Sequence, residues 1–480
     1  MLEWSKNAPL TVRFSPKSIS FNDILCKIAT QTNRLRVVEL CRGWAGTRLE
    51  LPKILSSFDK TAPILEKLVL EGAISNTESG EQHAIPKNFL QHGAPALQHL
   101  DITQFAIRWD PLPLSSTLTY LRLENVAPEH RPTRKSFLES MTKMSRLETL
   151  NLSAWLPLSD DVSHPESSSI TLPSLRTLKL RDSSPEVLQF FAATQVPKEA
   201  RINIELSDTD PKSESFGSLF SALRKGWILS KDIVLDAGVS LGQSEIVDLR
   251  IVEPASASHG FAMSNEDDEL QLTCWFKNHD PPPKFDVDNP PASLALKLKR
   301  CNSVIGNSLL AALAERLDLS SLRSLKIASH QFPTAETFEL FKGLTKLDKL
   351  AIWYSYDALS NFLEVSKKTK GEDDPPFPAL RSLHLHGVDF DEDLTGKAYK
   401  TVDALGTALD DRHEYHPSIE RLIIERCTNF DEGHWDQLSC TLPEEVRLVW
   451  DEVEDIRRPP DDSYYGRYNR FEYDWAGRLY

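Results

Sequence analysis

The stretch PSLRTLKL, residues 173–180, carries the pattern that decides the fold of this 480-residue chain. Leu178 and Leu180 are two residues apart, which places both side chains on one face of a strand, whereas Lys179 points to the opposite face. Pro173 cannot continue a preceding helix and favours extended structure beside it. The stretch therefore predicts a short strand with one apolar and one polar face.

The same Leu-x-x-Leu-x-Leu/Ile pattern recurs along the chain. Eight strict copies are LEKLVL at 65, LQHLDI at 97, LTYLRL at 118, LETLNL at 147, LRTLKL at 175, LRSLKI at 322, LDKLAI at 347 and LRSLHL at 380, and two relaxed copies are LRVVEL at 35 and IERLII at 419. One such strand cannot bury its own apolar face, so the copies must stack side by side. Their spacing predicts an α/β leucine-rich-repeat solenoid with irregular repeats, in which a curved parallel sheet carries helices on its convex side.

Helical spacing of apolar residues fills the intervals between the predicted strands. The predicted helical segments are RKSFLESMTKM at 134, SSPEVLQFFAAT at 183, SESFGSLFSALRKGW at 213, NSLLAALAERL at 307, TAETFELFKGL at 334, YDALSNFLEVSKK at 356 and AYKTVDALGTALDD at 398. Ser184 is the predicted N-cap of the second of these, with Pro185 at the first helical position. The alternative, that the leucine motifs themselves lie on ordinary helices, is disfavoured by the prolines and by the separate helical segments that follow.

Residues 200–300 contain apolar alternations without the strict motif, and they predict further strands as degenerate repeats. These are ARINIEL at 200, EIVDLRIV at 245, LQLTCWF at 270 and SLALKLKR at 293. We expect one continuous repeat domain over 1–450, with two domains as the alternative. The aromatic-rich segment 451–480 is expected to be a C-terminal cap or tail, with a partner-binding motif as the alternative.

Composition excludes several classes of function. The chain is 40% hydrophobic and 26% charged, as globular proteins are, and its 55 basic and 70 acidic residues give a net charge of −15. This charge argues against nucleic acid as a partner. The sequence has no long apolar stretch, which argues against a membrane partner, and its six cysteines contain no Cys-x-x-Cys pair. We expect reduced thiols and a cytoplasmic or nuclear location.

The sequence lacks the motifs of common enzymes: we find no glycine-rich phosphate loop, no G-x-S-x-G and no H-E-x-x-H. We therefore expect no enzymatic activity, no cofactor and no metal. His413 and His416 with His434 could in principle share a metal, but no further ligand is set by their spacing. His384 and His386 share one strand face, and a real metal site there would need a third ligand.

The polar face of the predicted strands is more informative than any catalytic motif. Six of its basic and aromatic members are taken as a speculative ligand-binding strip on the concave side: Lys179, Arg181, Lys326, Trp353, His384 and His386. We expect these side chains to be exposed and to form a neutral-to-basic surface for a protein ligand that is acidic or phosphorylated. The alternative is that long basic side chains merely cover apolar sheet.

The order of these motifs resembles a known family. The opening WSKNAPLTVRF at 4, followed by NRLRVVEL, PILEKLVLEG, PALQHLDI, PSLRTLKLRD and PALRSLHLHG, is similar to the repeat half of fungal F-box/leucine-rich-repeat proteins. The resemblance implies a non-enzymatic recognition module that is the substrate-binding part of a ubiquitin-ligase receptor. The alternative function is a leucine-rich-repeat scaffold or intracellular receptor unconnected with ubiquitin.

The F-box itself would precede Trp4, where the sequence has three residues. The internal segment LPEEVRLVWDEVEDI at 442 has a similar start, but Val446, Leu448 and Trp450 alternate with the period of a strand. We therefore expect the ligase adaptor to bind only if an F-box lies upstream.

Overall fold

The computed structural model describes most of the chain. The described residues are 7–14, 22–41, 51–58, 60–72, 85–86, 89–90, 93–105, 108–124, 130–158, 169–207, 213–228, 245–253, 269–276, 292–299, 301–329, 333–367, 376–391, 398–413 and 419–454. The chain divides into two compact units. Unit 1 comprises Met1–Ser207 with Ser221–Gln243, and unit 2 comprises Asp208–Phe220 with Ser244–Tyr480.

Unit 1 is built from short strands with helices between them. Its described strands are β1 (Leu10–Phe14), β2 (Leu35–Leu40), β3 (Lys67–Glu71), β4 (His99–Thr103), β5 (Tyr120–Glu124), β6 (Thr149–Ser153), β7 (Ile170–Thr171), β8 (Thr177–Asp182), β9 (Thr194–Gln195) and β10 (Arg201–Leu206). Its described α-helices are α1 (Asn22–Ala29), α2 (Leu51–Ser56), α3 (Arg134–Lys143) and α4 (Ser184–Ala193). Short helical turns occupy Thr32–Arg34 and Arg224–Ile228. Helix α5 (Ser213–Leu223) comes directly before the second turn, and its residues up to Phe220 belong to unit 2.

The strands of unit 1 lie side by side almost in chain order. Eight described strands follow the order β1-β2-β3-β4-β5-β6-β8-β10, and every neighbouring pair is parallel. Strands β7 and β9 form a separate small parallel pair. The register aligns equivalent repeat positions, so Leu121, Leu150, Leu178 and Ile202 form one row across the sheet.

Unit 2 repeats this architecture with one change. Its described strands are β11 (Ile246–Val252), β12 (Glu269–Phe276), β13 (Leu294–Lys299), β14 (Ser324–Ala328), β15 (Lys349–Trp353), β16 (Ser382–His386), β17 (Arg421–Glu425) and β18 (Arg447–Trp450). Its helices are α6 (Ser303–Arg316), α7 (Ala335–Phe341), α8 (Tyr356–Ser366), α9 (Ala398–His413) and α10 (Glu432–Thr441), and consecutive ones pack against each other. The strand order is β13-β12-β11-β14-β15-β16-β17-β18, in which β12 is antiparallel to both of its neighbours and the other pairs are parallel.

The strand predictions are confirmed. All ten motif copies are strands with parallel partners, and the four apolar alternations of the middle region are β10 to β13. The leucines predicted to be buried are at most 1% exposed: Leu68, Leu70, Leu100, Leu121, Leu123, Leu150, Leu178, Leu180, Leu325, Leu350, Leu383 and Leu385. The sheet is mostly parallel rather than parallel throughout, because β12, which is not a motif copy, is antiparallel to both of its neighbours. An alternating pattern sets which face is buried and is silent on strand direction, which explains this difference.

The first leucine of the motif has a role that the strand pattern does not reveal. In each of the eight strict copies, its backbone N–H donates to the carbonyl oxygen three residues earlier, over 2.9–3.4 Å. These leucines are Leu65, Leu97, Leu118, Leu147, Leu175, Leu322, Leu347 and Leu380, all at most 2% exposed. The leucine thus closes a tight turn and anchors it in the core immediately before each strand.

The predicted helices are present, with small differences at their ends. Helix α4 begins at Ser184 with Ser183 as its N-cap, one residue before the predicted Ser184. Side-chain oxygens also cap α3, α6 and α8: Thr133 accepts from the Ser136 N–H, Asn302 from Ile305 and Ser355 from Ala358. Such caps satisfy backbone donors that a helix leaves unpaired at its start.

The strands end in a recurring backbone conformation. The residue directly after β4, β6, β15, β16 and β17 has a positive φ of 52–62°, at Gln104, Ala154, Tyr354, Gly387 and Arg426 respectively. Only one of the five is glycine, although this region is unfavourable for other residues. At three of the sites the residue gains one more ladder bond: the N–H groups of Ala154, Tyr354 and Gly387 donate to the carbonyl oxygens of Arg181, His386 and Glu425 at 2.8–2.9 Å. The Arg426 N–H donates instead to the Asp451 carboxylate at 2.8 Å.

An ion pair in the interior fixes the segment before α3 to the end of β8. The Asp182 carboxylate accepts from the Arg131 guanidinium at 2.9 Å and from the Leu156 N–H at 3.1 Å. Asp182 is 2% exposed, and its own burial raises its pKa against the effect of Arg131. The pair therefore joins three separate stretches of unit 1 in a site that is shielded from water.

Candidate functional site

The predicted strip is divided between the two units. Lys179 and Arg181 lie on β8 of unit 1, and both are exposed as expected. Arg181 is paired with Glu205 at 3.1 Å on the neighbouring strand. Lys179 forms no ion pair with another described residue. Arg122 likewise contacts Asp101, at 3.7 Å, so the described face of unit 1 mixes both signs of charge.

The other four predicted residues lie on β14, β15 and β16 of unit 2. The expectation of exposure is wrong for Lys326 and His384, which are 9% and 7% exposed, while Trp353 and His386 are half-buried. The cause is mutual packing across neighbouring strands. The Lys326 Nζ lies 2.9 Å from the centroid of the Trp353 ring, and that ring stacks on His386 with centroids 4.5 Å apart. Lys326 is thus held by a cation–π contact.

The register places these side chains on one face in successive rows. Trp353, His386 and Glu425 form one row, and Lys326, Ala351, His384 and Ile423 form the next. All of them point away from the buried leucines, since they alternate with those leucines along each strand. We call this face of β14 to β18 the unit 2 face.

A third row of the unit 2 face carries exposed cations. Ser324, Lys349, Ser382, Arg421 and Arg447 are aligned in register, and Lys349, Arg421 and Arg447 are exposed. Arg421 and Arg447 form no ion pair with another described residue, and the nearby Glu420 is bound by Arg381 at 3.0 Å. The row was not part of the predicted strip. The position directly before the buried leucine of each repeat already places Lys349 and Arg421 on the polar strand face, although neither was included in the strip.

The two histidines of β16 converge on one carboxylate. The His384 Nε2 lies 3.0 Å from Glu425 Oε2, and the His386 Nδ1 lies 3.6 Å from the same oxygen. The other ring nitrogen of His386 lies 3.1 Å from the Tyr354 hydroxyl oxygen. The ligand atoms of His384, His386 and Glu425 all lie within 4.8 Å of one another. The third ligand that sequence reasoning lacked is therefore supplied by the adjacent strand.

The surroundings of His386 in this cluster favour its uncharged form more strongly than water favours the uncharged form of a free histidine. Burial lowers the pKa of His386, and the neighbouring His384 lowers it further, whereas Glu425 acts in the opposite direction. The cluster is largely closed to solvent: the side chains of His384 and His386 are 8% and 13% exposed, and that of Glu425 is 38% exposed. Glu425 therefore forms its rim.

The remaining sequence candidates have other roles or lie outside the described residues. His434 accepts from the Asp431 N–H at 3.3 Å and caps α10, while His416 and the side chain of His413 lie outside the described part. The F-box-like segment at 442 contains β18, so the strand prediction is confirmed there. The aromatic residues 464–480 also lie outside the described residues.

No family model matches the chain, and the search of curated proteins found no match. Among the helices of the described residues, none has the length and apolar character needed to cross a membrane.

Proposed function

We propose that this chain is a non-enzymatic protein-recognition module built from leucine-rich repeats, and that it binds its partner through the unit 2 face. The observation that carries the proposal is the register of β14 to β18, which brings polar, basic and aromatic residues from five successive repeats onto one face. The recurring turn at the first leucine of each motif supports the assignment to leucine-rich repeats.

The chemistry of this face favours an acidic partner. Lys349, Arg421 and Arg447 lie in one row over three strand spacings, which is about 14 Å. An extended segment of four residues covers about the same length. The half-buried Trp353 offers an aromatic anchor in the adjacent part of the face. An acidic or phosphorylated segment could therefore pair with the cations while an apolar side chain contacts the tryptophan.

The resemblance to fungal F-box/leucine-rich-repeat proteins supports a more specific form of the proposal. In that form, the chain is the substrate-binding part of a ubiquitin-ligase receptor, located in the cytoplasm or nucleus, and its partner is a substrate marked for degradation. The alternative is a scaffold or receptor of the same architecture with no connection to ubiquitin. In the first form the bound partner is degraded, whereas in the alternative its lifetime does not depend on this chain.

The recognition surface is tested with an array of acidic peptides, phosphorylated and unphosphorylated, probed with the full chain. Arg421→Glu should abolish the binding of selected peptides, and the effect should weaken at high salt because the contact is electrostatic. Lys400→Glu is the matched control, since Lys400 is exposed on helix α9 of the same unit. Equal binding by both variants would exclude this row as the binding surface.

The ubiquitin connection is tested separately on a partner protein that binds through Arg421. Deletion of the gene for this chain should lengthen the half-life of that partner, and proteasome inhibition should remove the difference. An unchanged half-life, with binding intact, would favour the scaffold alternative.

A further inference from the structure

We propose that His384, His386 and Glu425 form a binding site for a divalent transition-metal ion of the Zn²⁺ type. Metal binding here is a property separate from the proposed protein recognition, because it requires no partner protein. The site lies within unit 2, between the adjacent parallel strands β16 and β17. The argument rests on the donor set, the separations of the donor atoms, a buried nitrogen without a partner and the groups that support the ligands.

The positions of the three donors follow from strand geometry. His384 and His386 are two residues apart on β16, so both imidazoles lie on the same face of the sheet. Glu425 is the register partner of His386 on β17, which places its carboxylate beside both rings. Three donors on two hydrogen-bonded strands form a site whose backbone is already in place before an ion binds.

The separations of the donor atoms suit a small divalent ion. At metal–ligand distances near 2.0–2.1 Å, neighbouring donors of a tetrahedral site are roughly 3–3.5 Å apart. Glu425 Oε2 lies 3.0 Å from His384 Nε2 and 3.6 Å from His386 Nδ1. Each pair of donor atoms in the cluster is within 4.8 Å, so rotations of the side chains suffice to close the site.

The Nδ1 of His386 lacks a hydrogen bond to any described residue, although it lies inside the cluster. Among the described residues, His386 Nδ1 is buried and has no partner within hydrogen-bond distance, since Glu425 Oε2 lies 3.6 Å away. A buried polar atom without a partner is costly, because it loses its contact with water and gains nothing in exchange. A metal ion between His386 and Glu425 would supply that missing contact.

The surroundings of His386 have the features that support metal-binding histidines. When the Nε2 carries the proton, it donates to the Tyr354 hydroxyl at 3.1 Å, and the Nδ1 lone pair then faces the site. Such a second hydrogen bond orients the ring and selects the tautomer in metal centres. Trp353 stacks on the same imidazole at 4.5 Å and keeps water from one side of it.

The donor set selects the class of ion. Two imidazole nitrogens and one carboxylate oxygen suit zinc and neighbouring divalent transition metals, whereas calcium and magnesium prefer oxygen ligands alone. Two neutral imidazoles and one carboxylate leave one net positive charge on a loaded site. Water can complete the coordination from the side of Glu425, which is 38% exposed.

The experiment measures metal binding by the full chain after treatment with a chelator. Zinc chloride is titrated in competition with a chromogenic chelator, and Co²⁺ is used as a spectroscopic probe. The wild type should bind one equivalent at this site. Glu425→Gln should weaken zinc binding at least tenfold and remove the visible Co²⁺ absorption band that reports imidazole and carboxylate coordination. Tyr354→Phe should weaken binding about tenfold, because it removes only the orienting hydrogen bond.

The matched control is His99→Gln, which changes a strand histidine of unit 1 that stacks on Tyr120. This variant should bind zinc and Co²⁺ like the wild type. Far-UV circular dichroism and thermal melting without metal should show that Glu425→Gln is folded, as expected for a rim residue. His386→Gln provides a second ligand variant if it is not.

Two results would overturn the proposal. One is a wild type that binds no zinc in the competition assay. The other is equal zinc affinity and an equal Co²⁺ spectrum in wild type and the ligand variants. Because the assay contains no peptide or partner protein, its failure leaves the proposed recognition function untouched, and failure of the peptide experiment leaves the metal site untouched.

Discussion

The replacement Leu178→Ala tests the buried register of unit 1 directly. Leu178 lies on β8 between β6 and β10, is fully buried, and is aligned with Leu150 and Ile202 on the neighbouring strands. Because strands on both sides hold these neighbours in place, the core cannot close easily around a smaller side chain.

The expected magnitude follows from the atoms removed. Three carbons leave the core, at roughly 0.8 kcal/mol each, which gives about 2.4 kcal/mol for the loss of burial. The cavity that remains adds a further penalty, and comparable fully buried leucines lose about 2.7–5.0 kcal/mol in total. We therefore expect Leu178→Ala to lower the free energy of unfolding by about 3–4 kcal/mol.

The assay is urea denaturation followed by far-UV circular dichroism, combined with hydrogen exchange of the peptide 173–182. The exchange measurement is needed because a chain with two units can unfold in more than one step. Lys179→Ala is the control, since this neighbouring side chain points to the exposed face. It should change stability by less than about 0.5 kcal/mol.

The reasoning would be refuted if Leu178→Ala cost less than about 1 kcal/mol. It would also be refuted if Lys179→Ala were the more damaging change, because a shift of one residue exchanges the two faces of a strand.

Three further predictions concern unit 1. Asp182→Asn should lower the free energy of unfolding by about 3–5 kcal/mol in urea melts at pH 7, because it leaves Arg131, whose side chain is 13% exposed, without its charge partner; a loss below about 1 kcal/mol would contradict this account. Burial lowers the pKa of His99 to about 4, so the stability that depends on neutral His99 is complete above pH 6.5 and is lost as the pH falls toward 4. The free energy of unfolding from urea melts should therefore be about 1 kcal/mol higher at pH 7 than at pH 5 because of His99, after allowance for solvent screening. The variant His99→Phe, which retains an aromatic ring against Tyr120, should lack this part of the pH dependence. Ala154→Gly should raise the free energy of unfolding by about 0.5–1 kcal/mol, and with it the thermal midpoint, because glycine adopts the φ of 56° without strain. An unchanged or lower midpoint would show that this backbone conformation costs little at Ala154.

The unit 2 face illustrates what an alternating sequence pattern leaves undetermined. Alternation identified the residues that point away from the core, but it treated each strand as if it stood alone. Lys326 is buried because Trp353, from the next repeat, covers it, and His384 is buried among the side chains of β15 and β17. Exposure on a sheet face depends on the size of neighbours from other strands, and no local pattern contains that information.

The same dependence on neighbouring strands explains why the sequence did not predict the third donor of the proposed metal site. The pair His384 and His386 was visible in the sequence because the two residues are close along one strand. Glu425 follows them by about forty positions, and the repeats between them differ in length. Only the observed register of β16 and β17 shows that this glutamate, rather than another of the many carboxylates, is the third donor.

The amino-acid sequence by itself determined the positions of the strands, the identity of their buried leucines and the helices between them. Those features depend on local periodicity, because a strand or helix must bury its apolar side wherever it packs. The tertiary structure alone decided the antiparallel direction of β12, the burial of Lys326 and the meeting of two histidines with Glu425. These features depend on which strands are neighbours and in what register, and that choice is made by packing over the whole unit rather than by any one segment.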